Sequence, residues 1–374
     1  MKSLTTSRIF LPAQPGPLAP ALATLVFLVI LVGGVLFASG GDPLALARLG
    51  TRYSVGDPAG TEGYDGQFTY YMSRELRPQV VAPHLDVPQY RYERILMSAL
   101  VRLLSLGNQA AIPWLLPLVG VLAQFAGTWI VAKLLQGWGV NPWYAMVYGF
   151  YAGFTLTVRL DMPEPLAYAL VAGALLMEQR EKRLGAWVLY GLALFAKEVT
   201  AVFVAAQFLA LISERRWKDA ISLGIIAGIP YLIFQVWLWS VFGKPGIVSG
   251  GAGVTPFELV PFMGLLRIGE YSMVYLVAML AVFGPSVVLP SIWGYIQSIK
   301  SVFSGDRNVI VLALLFNAML VAAMPFSTFR ETGGIIRLSS GLVLAILLFA
   351  ARRQNLRVLN FSLFWLVLNV FLLK

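Results

Sequence analysis

The strongest constraint on this chain is the recurrence, along almost its whole length, of apolar windows about 20 residues long, the length a helix needs to cross a hydrocarbon core about 30 Å thick. Such spans are read at approximately 18–40, 110–132, 141–158, 163–177, 184–196, 199–212, 219–242, 273–297, 308–325, 338–351 and 358–373. With 58% hydrophobic and only 12% charged residues, no soluble domain of ordinary composition could hide that surface. The sequence predicts an all-α, polytopic membrane protein with about eleven transmembrane helices. It forms a single transmembrane domain over 1–374, with no separate soluble domain. Several spans are too short to cross alone, notably the pair flanking Ala196-Lys197-Glu198, which suits half-helices or tilted pieces.

Charge sets the orientation. The linkers Glu178–Arg183 (EQREKR), Glu214–Asp219 (ERRWKD), Lys300–Arg307 and Arg352–Arg357 (RRQNLR) are short and basic, and such loops belong in the cytoplasm. Lys2 and Arg8 precede the first span, which is longer than a usual signal-peptide core and reads as an uncleaved helix with a cytoplasmic N-terminus. A long first extracytoplasmic loop, 41–107, then carries interfacial helices, and Arg94–Leu106 (RILMSALVRLLSL) lies flat on the outer interface because it is too short to span. The net charge of +10 sits in these loops and does not point to nucleic acid. Absence of cysteine excludes thiol chemistry, and the single histidine, His84, excludes a multi-histidine metal site. Any catalysis falls to carboxylates, Lys, Arg and Tyr.

An ionisable residue flanked by apolar helix is expensive in a membrane and marks a site to be explained. Four clusters stand out, and the threading puts all of them on the outer side. Gly63-Tyr64-Asp65-Gly66-Gln67 with the aromatic run to Tyr71 permits a tight turn and close approach of a ligand and offers stacking faces; the plainer reading is an Asp-Gly turn opening a helix. Asp161 and Glu164, in Arg159-Leu160-Asp161-Met162-Pro163-Glu164, can point to one place if a helix starts at Pro163, to hold a divalent cation, orient a hydroxyl or cap that helix. Lys197-Glu198 either neutralise each other or present the lysine to a phosphate. Arg330, Glu331 and Arg337 suit a phosphate or anchor a loop. Tyr90 to Arg94 form an aromatic and basic patch, a headgroup anchor or part of an acceptor site. Gly149-xxx-Gly153 and Gly224-xxx-Gly228 read as close-packing pairs between helices.

GYDGQFTYY, RYERIL, DMPEP, LALFAKE and RETGGIIR, in that order along the chain, resemble the GT-C superfamily of polyprenyl-phosphate-sugar-dependent membrane glycosyltransferases, and within it a bacterial branch linked to cell-surface glycopolymers. The second acidic site departs from the family's compact acidic pair, and no large soluble outer domain follows the helices. The resemblance implies a GT-C-like fold in the bacterial inner membrane with an extracytoplasmic active site. It implies Asp65 as general base in an inverting transfer, with Asp161 and Glu164 orienting the acceptor or binding a cation, Mg or Mn. It implies a donor phosphate held by Lys197, Arg330 and Arg337, and support from Tyr64, Gln67, Arg94, Glu198 and Glu331. The partners implied are a polyprenyl-phosphate sugar, a glycan, lipid or protein acceptor, and membrane lipid. Read without the resemblance, the residues define an acidic and basic outward cavity. A lipid-linked-sugar flippase, a small-molecule transporter or a non-catalytic assembly subunit would also need one.

Overall fold

The computed structural model describes residues 16–372; Lys2 and Arg8 lie outside the described residues. Among these the chain is all-helical, 76% helix with no strand. From the N-terminus the principal helices are α1 (Leu18–Ala38), α2 (Gly66–Arg74), α3 (Ile95–Leu104), α4 (Ile112–Gly137), α5 (Ala152–Arg159), α6 (Glu164–Gln179) and α7 (Arg183–Ala196). They continue with α8 (Glu198–Ser213), α9 (Trp217–Phe242), α10 (Met273–Phe303), α11 (Val309–Ala322), α12 (Thr332–Arg352) and α13 (Leu356–Val370). Every apolar span read from the sequence is helical where it is described, and among the described residues five helices, α1, α4, α9, α10 and α12, are long and apolar enough to cross a membrane. The span at 141–158 is three short pieces, Pro142–Ala145, Met146–Gly149 and α5, and α6, α7 and α11 have 16, 14 and 14 residues. This is the architecture of an α-helical membrane protein.

Local chemistry sets the helix ends. Asn308 caps α11 by accepting from the amides of Ile310 and Val311, Asn355 caps α13 through Val358, and Ser272 caps α10 through Tyr275. Gly243 ends α9 in the left-handed region at φ 76°. Within α9 and α10, Gly224–Gly228 and Gly284–Val288 widen into π-helical turns. Gly224 and Gly228 therefore do not form the packing pair that their spacing suggests, since a Cβ on either would meet nothing within 4 Å. Gly149 and Gly153 do: a Cβ there would collide with Thr24 and with the Ile336 carbonyl.

Helix α12 forms the centre, buried almost continuously from Leu342 to Ala351, whereas α1 turns Val26, Val29, Ile30 and Phe37 outward. The 41–107 segment packs its own apolar cluster, with Phe68, Tyr92, Met97 and Val101 set against Leu116 of α4 and Leu238 of α9. Its α3 buries Met97, Ser98 and Val101 and exposes Leu103 and Leu104.

The basic linkers gather at one end. Arg183 pairs with Asp219 at 3.0 Å, Arg353 pairs with Asp306 at 2.8 Å, and the Gln354 amide donates to the Trp138 carbonyl. Helices α7 and α8 thus form a hairpin that leaves this end and returns to it, turning at Lys197, whose extended backbone (φ −158°) interrupts the helix. A 14-residue helix is about 21 Å long. The turn therefore lies short of the far face of a slab about 30 Å thick. A reporter fused after Arg183 is expected to read cytoplasmic; a periplasmic signal there would reverse every loop.

Candidate active site

At the end opposite the basic linkers, four loops distant in sequence meet in one network of ion pairs. Asp65 opens α2 but makes no side-chain cap to it, so its carboxylate is free to face outward from the helix. Its two oxygens are held by different arginines: Oδ1 by Arg91 Nη2 and Oδ2 by Arg337 Nη2, each at 3.0 Å. Arg91 is fixed by Asp86, which accepts from Nε and Nη2 at 2.7 Å each and also from the Ala252 amide at 3.1 Å. Its guanidinium lies 4.2 Å from the centre of the Phe68 ring. The glycine-rich 249–253 loop thus packs on the Asp86–Arg91 pair.

The second half of the network surrounds the hairpin turn. Lys197 donates to Glu164 Oε1 at 2.8 Å, and Arg337 Nε stands 3.4 Å from the same oxygen, an ionic contact. Arg94 grips Glu198 through two bonds of 2.7 and 2.6 Å and stacks on Tyr90 at 4.1 Å. Lys197 and Glu198 thus do not neutralise each other; each pairs with a partner from another part of the chain. Arg337 also donates to the Tyr64 hydroxyl at 3.1 Å, which donates to Glu331 at 2.5 Å.

Tight backbone contact brings these loops together. A Cβ on Gly66 would lie 2.0 Å from the Leu160 carbonyl oxygen. The glycine that follows Asp65 therefore serves the approach of the Asp161–Glu164 loop, where the sequence suggested approach of a ligand. Between the loops a cavity of about 20 Å³, bounded by Asp65, Met72, Arg91, Arg94 and Pro163, has room for about one water molecule.

Three residues read as site members stand apart from the network. Gln67 is buried, accepts from the Gly50 amide at 3.0 Å and donates to the Glu62 carbonyl at 2.6 Å, so it fastens the loop. Arg330 is exposed, with its guanidinium 5.9 Å from the Phe326 ring. Asp161 adopts a left-handed backbone at φ 51°, is buried, and among the described residues has no hydrogen-bond partner on either oxygen. It neither caps α6 nor shares a partner with Glu164, and burial holds its carboxyl well above the usual carboxylate range. For a divalent cation the fit is poor. Glu164 already faces two positive side chains, and among the described residues no three His, Asp or Glu side chains converge.

Asp86 is the member that the sequence left out, while Arg91 and Glu93 were read only as part of a headgroup anchor or acceptor patch. Arg91 and Glu93 lay in the aromatic and basic patch, and Asp86 stands five residues before Arg91, a spacing with no helical meaning. Glu93 is fully buried and accepts from the Tyr231 hydroxyl at 2.6 Å and the Gln235 amide at 3.0 Å, while Oε2 has no partner. Burial, with the charge of Glu198 nearby, pushes its carboxyl up to about 7. Between the ordinary carboxylate value and about 7 the folded protein keeps a proton that the unfolded chain has lost, so stability falls as pH rises through that window. The loss is expected to reach about 3 kcal/mol, and Glu93→Gln should flatten it. Thermal unfolding in detergent from pH 5 to 8 checks this; a wild-type curve as flat as the variant's would count against it.

For Asp65, burial alone would raise the carboxyl, but Arg91 and Arg337 outweigh it and hold it well below the usual carboxylate range. It is ionised and, while clamped, a weak base. Compared with family models, with curated proteins and with solved structures, the chain matches none.

Proposed function

We propose that the protein is a GT-C-like glycosyltransferase that moves a sugar from a polyprenyl-phosphate donor to an extracytoplasmic glycan, lipid or protein acceptor in a bacterial plasma membrane. The observation that carries this reading is the position of Asp65. Among the four carboxylates ion-paired with Arg91, Arg94, Lys197 and Arg337 its side chain is the most exposed, at 28% against 5% for Asp86, 2% for Glu164 and 17% for Glu198. Each of the four cations Arg91, Arg94, Lys197 and Arg337 already has a carboxylate partner. An incoming phosphate must therefore displace one of these acids, and the accessible one is Asp65.

The chemistry follows from that exchange. Donor phosphate oxygens take the Arg337 and Arg91 contacts, and Lys197 adds positive charge beside them. Asp65, released from both guanidiniums, regains the basicity of an ordinary carboxylate next to the bound donor. It accepts the proton of an acceptor hydroxyl as that oxygen attacks the anomeric carbon from the face opposite the phosphate. The bond from the anomeric carbon to the phosphate oxygen breaks, and its electron pair leaves with polyprenyl phosphate, stabilised by the same cations. Configuration inverts, and no general acid or metal is needed for this leaving group.

The test is release of polyprenyl phosphate from a panel of lipid-phosphate sugars by purified protein, with crude cell-envelope glycan as acceptor. Release with one donor is the expected result. No release from soundly folded protein would sink the transferase reading and favour a flippase or transporter.

A further inference from the structure

Helix α2 is buried on two sides. The face carrying Phe68, Thr69 and Met72 borders the small cavity beside Asp65. The opposite face, with Tyr70, Tyr71 and Arg74, forms one wall of a second, much larger cavity of about 460 Å³. That volume lies within the ~300–1,000 Å³ typical of small-molecule sites. Its far wall is the turn at Val80, Val81 and His84, and Gln109 closes one end.

We propose that this cleft binds a pyranose unit of an extracytoplasmic glycan. A sugar ring presents apolar C–H faces and a rim of hydroxyls that both donate and accept, so it is matched by aromatic surface edged with mixed polar groups. The cleft has that surface: the Tyr70 and Tyr71 rings lie 5.5 Å apart, and the His84 ring stands 5.1 Å from Tyr71 at a tilt of 33°.

The edge is mixed in sign and in hydrogen-bonding sense. The Tyr71 hydroxyl is buried beside Ser54, whose half-buried hydroxyl lines the cleft and can both donate and accept. His84 Nδ1 lies 2.6 Å from the Tyr53 carbonyl. A carbonyl only accepts, so Nδ1 carries the hydrogen, and in the neutral ring Nε2 is an acceptor. Arg74, oriented by its 3.2 Å bond to Gln109, supplies donors, and Glu75 supplies acceptors. A phospholipid headgroup fits less well. Its phosphate would face the Glu75 carboxylate, and the nearby Arg77 is already tied to that carboxylate at 2.9 Å.

The two cavities flank one helix, whose diameter with side chains is about 10 Å. A glycan anchored in the cleft could therefore reach Asp65 with a residue further along its chain. The role of that glycan as acceptor rests on the transferase reading; binding in the cleft does not.

The test omits the donor. Full-length protein in detergent is titrated with short oligosaccharides of mannose, glucose, galactose and arabinose, and with dioctanoyl phosphatidylglycerol, with contact read by saturation-transfer NMR. At least one saccharide is expected to bind saturably. Val80→Trp, at the exposed rim, should abolish binding by filling the cleft. Ser54→Ala, which removes a lining hydroxyl, should weaken it about three- to tenfold. Neither variant should change donor binding at the Asp65 network. Absence of saccharide binding, binding that Val80→Trp leaves intact, or a response to the lipid alone would overturn the cleft assignment, even if the protein releases polyprenyl phosphate. Saccharide binding lost in Val80→Trp, in a protein that releases none, would keep the cleft and discard the transferase.

Discussion

Asp65→Asn is expected to lower polyprenyl phosphate release by about 10²- to 10⁴-fold, the range lost with a positioned general base, while donor binding is kept or tightened. The tightening distinguishes this substitution from general damage. In the wild-type protein the donor must compete with the Asp65 carboxylate for Arg91 and Arg337, and asparagine removes the competitor. The fold should survive, because Arg91 retains its two bonds to Asp86 and Arg337 retains Tyr64 and the Glu164 contact. Release assayed beside donor affinity, in protein of unchanged oligomeric profile, decides the matter. A variant that transfers sugar at the normal rate removes Asp65 from the chemistry, and one that loses donor affinity together with turnover points to a structural role.

The second large effect concerns the buried pair. Glu164→Gln should destabilise the protein by about 3–5 kcal/mol, the cost of leaving a buried charge without its partner, whereas Lys197→Met should cost distinctly less. The asymmetry comes from Arg337. If Lys197 is removed, Glu164 still faces Arg337 Nε at 3.4 Å. If the Glu164 charge is removed, Lys197 loses its only close ion pair among the described residues, made at 2.8 Å with both side chains buried. Thermal unfolding of the two variants under one set of conditions should rank them in that order. A Lys197 variant at least as unstable as the Glu164 variant would mean that Arg337 does not support the acid. Lys197→Met should also weaken donor binding, since the lysine adds positive charge where the phosphate is proposed to sit.

Much of the architecture was legible because lipid imposes a simple rule on sequence. Apolar length marks helices, and dense Lys/Arg marks the end at which Arg183, Arg353 and Gln354 meet Asp219, Asp306 and Trp138. Helix length was less legible: α6, α7 and α11 are largely apolar but have 16, 14 and 14 residues, against about 20 for a crossing. In the site, Asp65, Lys197, Glu198 and Arg337 were legible because ions beside apolar helix are rare and costly. Arg330 carried the same signal. In a continuous helix seven residues make about two turns, which would set it on the Arg337 face. The extended backbone at Glu331 (φ −100°, ψ 112°) breaks that register. Asp86 and Arg91 failed for the opposite reason: in a long polar loop nothing local separates a buried two-bond pair from surface charges. Gly66 was recognised as a close-approach residue, but only the folded chain identifies the Leu160 carbonyl as what approaches.

The hairpin of α7 and α8 also acts on the bilayer. Its outward side chains, Leu184, Val188 and Leu192 on α7 and Phe208 and Leu209 on α8, offer the acyl chains a wall whose α7 side is about 21 Å tall where the surrounding membrane is about 30 Å thick. Such a mismatch costs fractions of a kcal/mol per Å and is relieved by thinning the adjacent leaflet. A dimple on that flank lowers the lipid headgroup plane toward the level of Lys197. A polyprenyl-anchored phosphate could then meet the cations without its apolar tail leaving hydrocarbon, and thinner bilayers should favour the encounter.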